Sequence, residues 1–89
     1  MKKIRLDCGF TCEVDENLLD NMELVDALAE GRDGDALFIS RICSLVFDKQ
    51  TKKALYDHLR SEDGRVPVED VNSAAIDLFN KLGTEGKNS

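Results

Sequence analysis

From Ile4 to Val14 every even position is apolar and every odd one is not: Ile4, Leu6, Cys8, Phe10, Cys12 and Val14 alternate with Arg5, Asp7, Gly9, Thr11 and Glu13. A period of two means a half-buried strand, because successive side chains point to opposite faces. Gly9 interrupts the run and signals a turn. Parity decides its length. A two-residue loop at Cys8-Gly9 would set Leu6 opposite Thr11 and spoil the apolar face. A three-residue loop, Asp7-Cys8-Gly9, pairs Leu6 with Phe10 and Ile4 with Cys12, and puts glycine where a left-handed residue is needed. The prediction is a three-residue hairpin; one long strand kinked at Gly9 is the alternative. A hairpin alone is marginal, so it must lie on other elements.

Those elements read as helices. Leu18, Met22, Val25 and Leu28 recur at helical spacing and predict a core-facing stripe, ended by Gly31 and Gly34. Asp35 caps a second helix whose Leu37, Phe38, Ile39, Ile42, Cys43, Leu45 and Val46 are apolar around most of the circumference, so it is expected to be central and most buried. Asp48 caps a third, carrying Ala54, Leu55, Tyr56 and Leu59. Ser61-Glu62-Asp63-Gly64 breaks it. Pro67 sits at the first turn of a fourth, with Val68, Val71, Ala75, Leu78, Phe79 and Leu82 as its stripe and Gly83 as its stop. The expected fold is α+β: an N-terminal β-hairpin packed on about four short α-helices. Residues 1–83 form one domain, and 84–89 a polar tail that frays.

At 89 residues the core is thin: a chain this short buries only about 60–65% of its unfolded surface. Charge is unevenly placed. Residues 1–12 carry Lys2, Lys3 and Arg5 against Asp7. Residues 36–89 carry equal numbers of acids and bases. The whole net charge of −6 therefore comes from residues 13–35, where Glu13, Asp15, Glu16, Asp20, Glu23, Asp26, Glu30, Asp33 and Asp35 face Arg32 alone. Such a segment repels nucleic acid and anionic membrane and favours a basic partner; the plainer reading is a solubilising helix face. Asp20, Glu23, Asp26 and Glu30 on that helix are the candidate partner-binding residues. No apolar run approaches the ~20 residues of a membrane span, and Met1-Lys2-Lys3 leads into no apolar signal segment. The three cysteines, an odd number, suit free thiols in a reducing cytoplasm.

Catalytic and metal chemistry find little footing. Cys8 and Cys12 would need two more ligands for zinc, only Cys43 and His58 exist, and the spacing fits no zinc pattern. Buried cysteines acting as small hydrophobes are the simpler account. His58 beside Asp57 reads as a solvated helix-face histidine rather than half of a Cys-His pair. Gly31-Arg32-Asp33-Gly34-Asp35 lacks the alternating oxygens of a calcium loop, with Val46 where the bidentate glutamate belongs. It is also no phosphate loop, since no Gly-Lys-Ser/Thr follows. Five aromatics without tryptophan make no stacking platform for nucleic acid. No enzyme, metal or cofactor is expected.

Three segments carry a resemblance: Leu6-Asp7-Cys8-Gly9-Phe10-Thr11-Cys12-Glu13-Val14, Met22-Glu23-Leu24-Val25-Asp26-Ala27-Leu28-Ala29-Glu30, and the stretch from Leu55-Tyr56-Asp57-His58 through Ser61-Glu62-Asp63-Gly64-Arg65-Val66-Pro67-Val68. With the ending Gly86-Lys87-Asn88-Ser89, this order resembles the small tail assembly chaperones of long-tailed bacteriophages and prophages, over nearly the whole chain. The resemblance implies a protein of the host bacterial cytoplasm, absent from the finished virion. It would coat the tape measure protein, help the tail tube protein polymerise around it, and self-associate. It also implies a longer product made by programmed frameshift. Gly86-Lys87-Asn88 can be encoded GGA AAA AAC, which contains a slippery heptamer; codons without one would remove that expectation.

Two other classes compete. An acidic inhibitor or antitoxin-like protein would block a basic, nucleic-acid-binding site, although mimicry needs charge over a wide face and residues 36–89 are balanced. A redox or enzymatic role for Cys8 and Cys12 would require loss of activity, with folding retained, when both are replaced by serine.

Overall fold

The structure, a computed structural model, describes residues 1–31 and 35–87, with side chains described through Gly83. Strands β1 (Lys2–Arg5) and β2 (Thr11–Val14) precede helices α1 (Met22–Glu30), α2 (Ala36–Val46), α3 (Lys49–Leu59) and α4 (Val68–Lys87). This is the α+β arrangement expected from the sequence.

The hairpin follows the parity argument. Ile4 pairs with Cys12 and Arg5 with Thr11, antiparallel. The Leu6 N–H donates to the Phe10 carbonyl at 2.8 Å, and the Gly9 N–H closes the turn on the Leu6 carbonyl at 2.9 Å. Gly9 has φ +94°, the left-handed backbone that a side chain disfavours. Ile4, Leu6, Cys12 and Val14 are all buried and belong to one core with residues of all four helices. The hairpin thus lies on the helices, and the kinked single strand is excluded.

Caps set the helix starts. Asp35 accepts from the Leu37 and Phe38 N–H groups and Asp48 from that of Thr51, as expected. Asn21 caps α1 by accepting from the Glu23 N–H. These bonds satisfy N–H groups that have no partner within the helix. The segment Ser61-Glu62-Asp63-Gly64 does break the chain between α3 and α4. Gly64 sits at φ +89°, and the Ser61 N–H donates to the Arg65 carbonyl at 2.8 Å.

Three expectations change. First, the stripe of Leu18, Met22, Val25 and Leu28 is not the buried face of α1. Leu18 is buried but lies in the turn before the helix, while Leu24 and Ala27 enter the core and Met22, Val25 and Leu28 are exposed. Both sets have helical spacing, and contact with α2 selects between them. Second, α2 meets all three other helices yet buries one face only: Ile39, Ile42 and Cys43 are inside, Leu37 is 85% exposed and Leu45 is also exposed. A core this small cannot enclose a helix all round. Third, α4 runs through Gly83 to Lys87. Interior glycine costs a helix about 1 kcal/mol, which is too little to stop one by itself, and Gly83 does not turn left-handed. Gly31 ends α1, as expected, with φ −87°. It is covered by the Phe38 ring, which a methyl group at Gly31 would overlap. The expected stop at Gly34, the loop residues Arg32 and Asp33, and the ends of the tail at Asn88 and Ser89 lie outside the described residues.

Candidate functional site

Glu23, Asp26 and Glu30 stand at i, i+3 and i+7 on α1, so the helix places all three exposed carboxylates on one face. Asp20 is exposed in the turn before it, its N–H donating to the Asn17 carbonyl at 2.9 Å. It is not part of that row. Helix α1 contains no basic residue. The Arg41 guanidinium of α2 reaches Glu30 at 3.2 Å, with both side chains more than half exposed, a geometry of little energetic weight.

An apolar row begins beside Asp26 at Met22 and turns away from the acids around α1 through Val25 to Leu28. Met22, Val25 and Leu28 are 69%, 44% and 39% exposed. Across a shallow groove on α4, Ile76 is 43% exposed. The groove has a volume of about 340 Å³, and its lining includes Leu28 of α1, Phe38 and Ile42 of α2, and Ala75, Ile76 and Phe79 of α4. Among the described residues its one polar side chain is Asn72, which gives little with which to orient a small polar ligand. Sequence periodicity found this row but assigned it to the core. Its exposure could not be read without the packing.

The hydrogen bond that His58 makes goes to backbone, not to a thiol. Cys8 is exposed at the hairpin turn, whereas Cys12 and Cys43 are buried. Burial pushes both buried thiols up from their ordinary range; for Cys12 the neighbouring Cys8 adds to the rise. A thiol reagent near neutral pH is therefore expected to modify Cys8 alone in the native protein and all three cysteines in denaturant. Modification of two or three at one rate in the native state would contradict the core assignment. His58 is exposed on α3, as expected, and is also engaged. Its Nε2 lies 2.9 Å from the Cys8 carbonyl, so that nitrogen carries the proton, and its ring packs on Phe10 at 5.6 Å. It ties α3 to the hairpin turn through backbone, not through the thiol. The pair most like a nucleophile and base is Ser44 with Lys52, at 2.7 Å. There the ammonium donates to Oγ, and Oγ donates to the Ser40 carbonyl at 3.0 Å, so nothing accepts the hydroxyl proton for attack. Among the described residues no three His, Cys, Asp or Glu side chains gather as metal ligands, and no helix is long and apolar enough to cross a membrane.

Sequence reasoning missed one polar junction. Lys81 Nζ donates to Asp7 at 2.7 Å, Asp77 at 3.0 Å and the Arg5 carbonyl at 3.0 Å. Asp77 also accepts from the Asp7 N–H at 2.7 Å. The Asp77–Lys81 spacing of i, i+4 was visible; the arrival of the hairpin was not. Desolvation raises the Asp77 carboxyl, but the Asp7 N–H and the Lys81 ammonium together outweigh it, and the pKa falls below the ordinary 3.8. Hydrogen bonds to Asp7 and Asp77 raise that of Lys81 above 10.5. The Asp77 contribution is then complete above its unfolded pKa and lost as pH falls through the lower folded value; that of Lys81 is lost only as pH rises past 10.5. Asp77→Asn should cost about 1 kcal/mol between roughly pH 5 and pH 9, and the gap to wild type should close below about pH 4. Urea unfolding across pH checks this; a gap that persists in acid would contradict it.

No protein-family model matches the chain, and no curated protein or solved structure matches it.

Proposed function

We propose that the chain is a tail assembly chaperone of a long-tailed phage or prophage. It binds the tape measure protein in the host bacterial cytoplasm, promotes tail tube assembly around it, and uses no catalytic chemistry, metal or cofactor. The reading joins the sequence resemblance to one structural observation: an apolar row of Met22, Val25, Leu28 and Ile76 left uncovered, its Met22 end beside an acidic row. Exposed apolar surface rimmed by polar residues is typical of protein-binding sites, and a groove between helices suits a helical segment. Self-association belongs to the reading, and the two-stranded sheet has open edges that could serve it. A longer frameshift product is part of it too, and the codons for Gly86-Lys87-Asn88 test that element.

The acidic-inhibitor alternative is less well supported. The aligned acids occupy one face of α1, and the surface next to them is apolar, whereas a nucleic-acid mimic needs extended charge. Co-expression discriminates the two. A tape measure protein made alone should aggregate, and with this chain it should stay soluble and co-purify. Continued aggregation, or co-purification of a basic nuclease instead, would overturn the reading.

A further inference from the structure

We draw no further inference here: the strongest candidate, the apolar groove that Leu28 of α1, Ile42 of α2 and Ile76 of α4 line together, carries nothing, because the acids of α1 lie away from Leu28 and nothing in the structure shows what covers it.

Discussion

Leu78→Ala is expected to remove about 2–5 kcal/mol of stability, the cost of deleting a fully buried leucine and leaving a cavity. Leu78 is 0% exposed on α4, in the same core as Leu6 of the hairpin, Leu24 of α1 and Leu55 of α3. A chain this size has roughly 5–10 kcal/mol in total, so the loss is a large share of it. The melting temperature should drop by roughly 10–25 °C. The denaturation midpoint should fall with little change in slope, because the surface exposed on unfolding is nearly the same. A cost below about 1 kcal/mol would mean that α4 does not close the core here.

The second large effect separates neighbours. Leu24→Asp puts a carboxylate where the side chain is 1% exposed, with no partner for it. An unpaired buried charge costs several kcal/mol, enough to unfold so small a domain. Val25→Asp, one position on and 44% exposed, should change stability by no more than about 0.5 kcal/mol. Circular dichroism with urea titration of the two variants is sufficient. The sequence stripe of Met22, Val25 and Leu28 demands the opposite order, so the pair decides which face of α1 enters the core. Two variants of equal stability would contradict the assignment.

That contrast also marks how far the residues alone carry the fold. The hairpin register was legible because a one-residue slip would turn the whole apolar face outward, and only one loop length kept Leu6, Phe10, Ile4 and Cys12 together. Asp35 and Asp48 were legible because capping is a local bond between a carboxylate and N–H groups two or three residues on. The inward face of α1 was not, because Met22-Val25-Leu28 and Leu24-Ala27 are both apolar at helical spacing. Only the approach of α2 chooses between them. Helix α2 misled for a related reason: periodicity reports where apolar groups lie, not how much neighbouring surface exists to cover them. Gly83 passed for a stop because glycine is permissive, and permission to leave a helix is not an instruction to do so. The contacts of Asp7 with Asp77 and Lys81, and of His58 with Cys8, join residues at least 50 apart, beyond any local rule.

The candidate site divides in the same way. The acidic row was readable from spacing, apart from Asp20, which the helix leaves outside. The apolar row was readable as a stripe but assigned inward. The stripe is left uncovered, which is what the proposed binding surface requires.

Site-specific photo-crosslinking in cells that make the tape measure protein tests this most directly. A benzophenone side chain at Met22, on the exposed apolar row, should capture the tape measure protein. The same group at Leu45, exposed on α2 outside the groove, should not. Capture from Leu45 equal to that from Met22, or a Met22 adduct only with a second copy of this chain, would contradict the claim that this row is the partner-binding surface.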